Sequence, residues 1–398
     1  MSTTRNPIGH GDIVQAAADA HGPTPDQRHR AARRYDDIGQ WCRDHADLDD
    51  DLEIYPQGSI RIGTTTIDPS TGEFDVDAVL RYDRDKDAIT QDRLRNLNTR
   101  LLHRYITARQ GEEHPLAPRD IEPKRRAVAL LYDDPFHLDV LPVIPDPDRA
   151  DADAVKHAPV GDPSLLTDRD LTRWQSTNPR GFAAWFDLQS QKERKLRLAA
   201  EAARAEVTVD ELPPDAFTTT LQNSVRILEL HVRNSFAYDD DTAPPSIVVT
   251  TLAARAYADV APDNGRLEQV LRLIVRAMPD MIQRRRGRIW IPNPVNDEEN
   301  FANRFVGHPE RERALHQWLH KLARDLDVLR DTQGLDQIAN VADAILGSGS
   351  GQRIARRVAA RVQDARTAGR LASMSTGALA VSGTSGHRDH TFYGAAPT

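Results

Sequence analysis

Three aspartates lie in segments whose patterns predict strands, at positions that can bring their side chains together. Asp75 and Asp77 are separated by one residue in the alternating run 74–80, so both point to the same face of a strand. Asp139 lies inside a second, otherwise apolar run at 136–143. Carboxylates that share one sheet face repel each other unless a cation lies between them, and a divalent ion is the simplest solution. If the two strands are neighbours, the cluster can hold two Mg²⁺ ions, with Mn²⁺ as an alternative, for an in-line attack on a nucleotide α-phosphate.

A Gly-Ser turn precedes this cluster in the sequence. Gln57, Gly58 and Ser59 lead from a strand-like segment into a short helix, so exposed backbone N–H groups and one hydroxyl can bind a polyphosphate. Gly-Ser pairs also occur in ordinary turns, and an isolated pair of aspartates can simply line the solvent face of a strand. The turn and the embedded third aspartate together favour the catalytic interpretation.

Composition excludes several classes of protein. The chain has 398 residues, with 60 acidic and 52 basic side chains and a net charge of −8, which argues against a general nucleic-acid binder but leaves room for a local basic groove. The single cysteine, Cys42, excludes an internal disulfide framework and a cysteine-based zinc module. The most apolar stretch, 247–261, contains Arg255 and Asp259 and is too short to span a bilayer. We therefore expect a cytoplasmic protein without a membrane segment.

The elements that must position these residues form an α+β arrangement. Residues 1–165 are predicted to form a sheet domain with an N-terminal helix at 24–46, a second helix at 90–109 and strands around the aspartates. Residues 166–370 are predicted to form a helical lobe, and the Ser/Gly/Ala/Thr-rich residues 371–398 a flexible tail. The helices predicted for the lobe cover 181–205, 215–238, 246–257, 266–286, 310–330, 335–346 and 352–366.

At these residues the sequence resembles the polymerase-β-like nucleotidyltransferases, and more narrowly the cGAS/DncV-like nucleotidyltransferases (CD-NTases) of bacterial CBASS anti-phage signalling. The resemblance begins with Gly58-Ser59, the pair Asp75 and Asp77, and Asp139. It extends over about residues 50–305, in further blocks at 137–142, 178–186, 221–226, 246–253 and 293–301.

The resemblance implies a bilobal fold with the active site in the cleft between a nucleotidyltransferase sheet domain and a helical C-terminal lobe. It implies a synthase that joins two or three NTPs into a cyclic di- or trinucleotide messenger and releases pyrophosphate. Gln57, Gly58 and Ser59 would then contact the donor triphosphate, while Asp75, Asp77 and Asp139 hold both metal ions. From the helical lobe, Ser246 and Lys192 would contact phosphate.

Two departures from the family pattern affect these roles. Many relatives carry a lysine where this chain has Glu229, so Arg226, Arg233 or Lys192 would have to replace its contact with the triphosphate. The cysteine count excludes the zinc-bearing, DNA-sensing insertion of the animal homologue, so we expect no activation by DNA. The substrates are expected to be ATP, GTP or a pyrimidine NTP, and the product is expected to act on a downstream effector.

Some features keep a second interpretation. The arginine-rich run 283–288 could steer triphosphates, although such a run is more often the solvated end of a helix. Aromatic residues at 392–393, followed by Gly394, resemble tails that ubiquitin-transferase-like accessory proteins conjugate.

Two other functions remain open at this point: a non-cyclising nucleotidyltransferase that acts on RNA or protein, and a catalytically silent nucleotide sensor or scaffold.

Overall fold

A computed structural model describes most of the chain. The described residues are 10–46, 51–149, 162–169, 173–205, 217–237, 239, 241–262, 265–332, 334–367, 372–373 and 379–380. Most of the acidic, proline-rich connection predicted at 146–163 therefore lies outside them, as does most of the tail.

Two helices open the described chain. Helix α1 spans His10–Ala20 and helix α2 spans Pro25–His45. The start of α2 follows from its sequence, because Thr24 and Gln27 form a reciprocal capping box and Pro25 occupies the first turn.

A seven-stranded mixed sheet forms the first layer of the fold. Its strands are β1 Leu52–Gln57, β2 Phe74–Tyr82, β3 Asp120–Pro123, β4 Val128–Leu131, β5 Phe136–Pro145, β6 Ser164–Leu166 and β7 Gln175–Thr177. The main path runs β1-β2-β5-β4-β3, and β6 and β7 extend it from the end of β5. Only the central β2/β5 pair is parallel among these ladders, and it places the two aspartate-bearing strands side by side.

One face of this sheet is covered by helices and the other carries the aspartates. The short helix α3 (Gly58–Ile62) lies between β1 and β2, and α4 (Gln91–Gly111) follows β2. Apolar residues of α2 and α4 pack on Val76, Leu138 and Val140, which alternate with the aspartates along their strands. The carboxylates therefore project from the face opposite to the α2/α4 layer.

The helical lobe has a core of its own. Its helices are α5 Pro179–Gln189, α6 Gln191–Ala205, α7 Thr220–Ser235, α8 Ser246–Val260, α9 Leu267–Ala277, α10 Pro309–Asp331, α11 Leu335–Leu346 and α12 Ser350–Thr367. Helix α1 contributes Ile13 and Val14 to this core, although it precedes the sheet domain in sequence. The predicted unit 1–165 thus begins with a helix that packs on the other lobe; the boundary near 165 stays a prediction.

Two predicted helices differ in the structure. The segment 181–205 is two helices that meet at Ser190, and the helix predicted over 266–286 ends at Ala277. A 3₁₀ turn at Met278–Met281 follows, with Pro279 in its first turn. The arginine-rich run then forms an exposed hairpin of β8 (Gln283–Arg285) and β9 (Arg288–Trp290), so its interpretation as a helix end is wrong.

The remaining strands are short. They are β10 Pro292–Asn293 with β11 Asn296–Asn300, and β12 Ala372–Ser373 with β13 Leu379–Ala380. The last pair lies in the segment predicted as a flexible tail, whose aromatic residues at 392–393 are outside the described residues. In the part of the chain that the structure covers, no helix combines the length and the apolar character needed to cross a membrane. The predicted α+β class is confirmed.

Candidate active site

Strand register brings the three predicted aspartates to one place on the sheet. Asp77 on β2 lies directly beside Asp139 on the parallel strand β5, and Asp75 lies beside His137. The His137 Nδ1 atom is 3.5 Å from the Asp75 Oδ1 atom. His137 is thus a strand residue that faces a site carboxylate.

The Gly-Ser turn lies against the carboxylate of Asp77. Gln57 pairs with Asp77 in the β1/β2 ladder, and Gly58 follows with a φ of 61°. A Cβ atom at position 58 would be 2.2 Å from Asp77 Oδ2, which is too close for any other residue type. The structure therefore requires glycine here both for its backbone conformation and for the close approach of the carboxylate.

Ser59 occupies the first turn of α3, where backbone N–H groups have no acceptor within the helix. Its hydroxyl is 3.2 Å from the hydroxyl of Thr65, and its carbonyl accepts a 2.8 Å bond from Thr64 N–H. The chain after α3 thus folds back on Ser59.

Helix α7 fixes the other end of α3. The Gln222 side chain donates to the carbonyl of Ile62 at 2.9 Å, and Arg226 donates to the carbonyl of Gly63 at 2.9 Å. Gly63 has a φ of 72°, and its α-carbon lies so close to Gln222 that a Cβ atom would be 2.4 Å from the amide nitrogen. The helical lobe therefore positions the Gly-Ser turn through two side chains of one helix.

Like charges and burial dominate the electrostatics of the cluster. Burial, followed by the negative charges of Asp139 and Asp75, raises the pKa of Asp77 to about 7, and the charge of Lys124 acts in the opposite direction. The Lys124 ammonium donates to both oxygens of Asp139 at 2.9 Å. One cation thus already neutralises the third carboxylate.

The carboxylates of Asp75, Asp77 and Asp139 are chemically suited to bind a divalent cation. The described side chains nevertheless do not form a complete metal site. No three His, Cys, Asp or Glu side chains of the described residues lie in an arrangement that could hold a metal ion. Both oxygens of Asp139 accept hydrogen bonds from the Lys124 ammonium instead. Carboxylate oxygens are the ligands that Mg²⁺ prefers, and the negative charges of Asp139 and Asp75, which contribute to the raised pKa of Asp77, would be offset by a cation. A cation that replaces the Lys124 contact would satisfy all three carboxylates.

Lys124 is a site residue that the sequence does not predict. It lies 15 positions before Asp139, just after β3, and only the β3/β4/β5 ladders bring it to that carboxylate. Its neighbourhood in the sequence, a Pro-Lys-Arg-Arg run, resembles many exposed basic turns.

In the helical lobe, Ser246 contacts the residue that departs from the family pattern. The Ser246 hydroxyl donates to Glu229 Oε2 at 2.8 Å, while Glu229 Oε1 is buried without a hydrogen-bond partner among the described residues. Burial raises the pKa of Glu229 to about 7, against the opposing effects of Ser246 and Arg233. Lys192 is the second residue of α6. The phosphate-binding roles of Ser246 and Lys192 stay predictions.

The two arginines considered as replacements for the family lysine face the sheet domain. Besides the Arg226 contact with Gly63, Arg233 donates to the Thr66 hydroxyl at 3.2 Å and lies 3.8 Å from Asp68. Both therefore hold the segment that follows the Gly-Ser turn.

Comparisons with known proteins agree with this architecture. The chain is 27% identical over 326 residues to a c-di-GMP synthase of Roseivirga ehrenbergii, which covers 79% of this chain and 78% of that protein. It is 25% identical over 294 residues to the cyclic dinucleotide synthase CdnG of Bradyrhizobium diazoefficiens, covering 70% of this chain and 65% of that protein. No protein-family model matches the chain.

The solved structure of the CD-NTase CdnG from Bradyrhizobium diazoefficiens in complex with GTP shares the fold, with a TM-score of 0.64 at 20% identity over 88% of this chain and 98% of that one. The predicted polymerase-β-like fold is thereby confirmed. Over most of its length the chain is therefore similar in sequence to two proteins named as cyclic dinucleotide synthases, and similar in fold to a solved CD-NTase, with the predicted aspartates on adjacent strands beside a Gly-Ser turn.

Proposed function

We propose that this chain joins two or three NTPs into a cyclic oligonucleotide and releases pyrophosphate at each step. The observation that carries the proposal is the convergence of three carboxylates on adjacent strands, directly against the Gly58-Ser59 turn. The two sequence relatives are both named as synthases of cyclic dinucleotides, which supports ring formation over transfer to RNA or protein.

We assign the following roles in the reaction to the site residues. Gln57, Gly58 and Ser59 bind the triphosphate of the donor, and Asp75 and Asp77 would hold the metal ions that offset the negative charge of its α-phosphate. Asp139 lies beside Asp77 and helps to activate the acceptor hydroxyl, whose oxygen attacks the α-phosphorus while the bond to the β-phosphate breaks.

Asp75, Asp77 and Asp139 would hold two Mg²⁺ ions, with Mn²⁺ as an alternative. When bound, the ions would lower the pKa of the attacking hydroxyl and neutralise the departing pyrophosphate. Ring closure repeats the same chemistry after the linear intermediate re-enters the site.

GTP is the first substrate to test. One relative is named as a c-di-GMP synthase, and CdnG was solved in complex with GTP. ATP and the pyrimidine NTPs are the other substrates to test, because a few hydrogen bonds in the base pocket can change the preferred base.

The decisive experiment incubates the full chain with each labelled NTP, and with their mixtures, in Mg²⁺ or Mn²⁺. Products are treated with phosphatase and analysed by mass spectrometry. Phosphatase-resistant cyclic products support the proposal. Linear products alone, or label attached to RNA or protein, would favour a non-cyclising transferase, and no turnover under any condition would favour a silent sensor.

A matched pair of double variants tests the assignment of the site. Asp75→Asn/Asp77→Asn is expected to abolish product formation. Asp85→Asn/Asp87→Asn changes two exposed aspartates with the same spacing outside the site and is expected to retain it. Activity in the first variant would overturn the role of these carboxylates.

We also propose that the product acts in anti-phage defence. A downstream effector that binds the product would carry this response, and an accessory protein would act on the tail at 391–394, which lies outside the described residues. Plaque assays on cells that express the wild-type chain or the Asp75→Asn/Asp77→Asn variant, together with the proposed effector, test the role in defence. Equal protection by both would contradict it.

A further inference from the structure

A cavity lined by basic side chains lies behind the carboxylate cluster, between α4 and the edge of the sheet. It has a volume of about 240 Å³, which at ~30 Å³ per water is space for on the order of eight water molecules. Four basic side chains line it: Arg95 from α4, Lys124 and Arg126 from the turn between β3 and β4, and Arg169 from the segment after β6. Aliphatic parts of Pro123, Ala127, Val128 and Pro142 form its apolar wall.

The cavity offers hydrogen-bond donors that have no acceptor among the described residues. Asn98 is fully buried and lines the cavity; its Oδ1 accepts from the Tyr82 hydroxyl at 3.2 Å, but its Nδ2 is buried without a partner in the described part of the chain. The Nη1 atom of Arg95 is likewise buried and has no partner among the described residues, while its Nη2 pairs with Asp92. Buried donors without a partner are costly, so a ligand that accepts hydrogen bonds here would be stabilised.

The charges around the cavity favour an anion. Three of the basic side chains have carboxylate partners, namely Asp92, Asp139 and Asp168, but no carboxylate of the described residues lines the cavity. Arg169 donates only to the carbonyl of Lys124, at 3.2 Å, among its described side-chain bonds. Nearby, burial and the positive charges of Arg126, Arg125 and Arg311 lower the pKa of Arg304, which is a further sign of positive potential in this region.

We propose that this cavity binds a small phosphate-bearing molecule, separate from the NTPs in the active site. Guanidinium groups and an amide donor would bind the phosphate oxygens, as planar arginine groups commonly do. The aliphatic wall and the volume leave space for a sugar or nucleoside body beside the phosphate. Because Lys124 lines the cavity and also binds Asp139, the ligand would lie immediately behind the candidate catalytic carboxylates.

Binding is measured by isothermal titration calorimetry on the full chain in EDTA, with inorganic phosphate, ribose 5-phosphate and GMP as separate probes. The Asp75→Asn/Asp77→Asn background removes two candidate metal-binding carboxylates, so binding that persists there does not depend on them. We expect at least one probe to bind in both backgrounds. The probe that binds best shows whether the body beside the phosphate contributes.

Two variants locate the site, and one serves as a matched control. Arg169→Ala changes an exposed side chain and Arg95→Gln keeps helix propensity, and each is expected to weaken binding about tenfold. Arg100→Ala, an exposed position of α4 that does not line the cavity, is expected to leave binding unchanged. The proposal is overturned if none of the probes binds at millimolar concentration, or if Arg169→Ala and Arg95→Gln both bind as tightly as Arg100→Ala. This outcome is independent of the turnover assay, which alone tests the proposed synthase.

Discussion

The side chain of Asp77 is placed where its charge costs stability. It lies beside Asp139, close to Asp75 and against the backbone of Gly58, and its pKa is raised to about 7 by burial and by these two like charges. An acid whose folded-state pKa lies above its usual value destabilises the fold once the pH exceeds both values. A residue with this cost is typical of a functional site.

The Asp77→Asn variant is therefore expected to be more stable than the wild-type chain when no metal is present. At pH 8 in EDTA, removing the charge should add roughly 2–4 kcal/mol to the free energy of unfolding. Urea denaturation followed by circular dichroism measures this difference. A variant that is less stable than wild type in EDTA would contradict the electrostatic argument.

Glu229 provides a second charged group with a raised pKa, located in the helical lobe. Burial raises its pKa from 4.5 to about 7. The protonated form is thus favoured in the folded state, so this group's stabilising contribution is complete below pH 4.5 and is lost as the pH rises to 7.

Glu229→Gln should remove this pH dependence. Between pH 4.5 and 7 the wild-type chain should lose up to about 3 kcal/mol of unfolding free energy relative to the variant. Urea denaturation at half-unit steps of pH measures the two curves. Parallel curves over this range would show that the carboxyl of Glu229 is not buried in its uncharged form.

At the scale of elements, α7 connects the helical lobe to the Gly-Ser turn. Thr219 and Gln222 form a capping box, in which Gln222 N–H donates to the Thr219 hydroxyl and Thr219 N–H donates to Gln222 Oε1. The amide nitrogen of the same glutamine reaches the carbonyl of Ile62. One side chain thus both starts α7 and holds the end of α3.

Two substitutions separate these roles. Thr219→Ala and Gln222→Ala both break the capping box and should each cost about 1 kcal/mol of stability. Only Gln222→Ala releases Ile62, so it should also lower the rate of NTP conversion by roughly three- to tenfold, as expected for one lost positioning bond. Initial rates at saturating NTP measure the effect, and equal rates in the two variants would exclude a positioning role for Gln222.

The sequence predicts those elements whose pattern is local. Thr24 and Pro25 mark the start of α2, and the alternation around Asp75 and Asp77 marks β2. The hairpin at 283–290 was missed because an amphipathic helix precedes it and arginine is a good helix former, although Pro279 and the Arg286-Gly287 pair at positive φ mark the break.

Contacts between segments that are distant in the sequence cannot be predicted from local sequence patterns. Adjacency of the aspartates was predicted only on the condition that β2 and β5 pair. Lys124 gives no signal of its own, because its contact with Asp139 exists only after β3, β4 and β5 are aligned. The packing of α1 in the helical core likewise depends on tertiary structure, since nothing in its own sequence names its partner.

In the molecule as a whole, arginines make many of the contacts between the two lobes. Arg180 stacks 3.8 Å from the ring of Tyr55 and pairs with Glu53, and Arg61 pairs with Asp187 at 3.1 Å. Arg353 donates to the carbonyl of Pro69 at 3.1 Å. Arginine suits such contacts because its planar group can stack and donate several hydrogen bonds at once. These three arginines are therefore engaged in contacts between the lobes and do not form a surface for nucleic acid.

This distribution of charge predicts that DNA does not activate the enzyme. The net charge is −8, and the single cysteine, Cys42, is buried in the sheet domain, so the chain has no cysteine-based zinc module for a duplex. The exposed arginine hairpin at 283–290 is a small basic patch on a chain of net negative charge, so we expect association with a polyanion to be weak and strongly dependent on salt. We therefore expect the same product formation with and without a 45-base-pair duplex, both at low and at physiological salt. In a separate binding assay at physiological salt, a labelled duplex should show no saturable change in anisotropy. Stimulation that persists at physiological salt would mean that basic side chains outside the described lobe contacts form a binding surface after all.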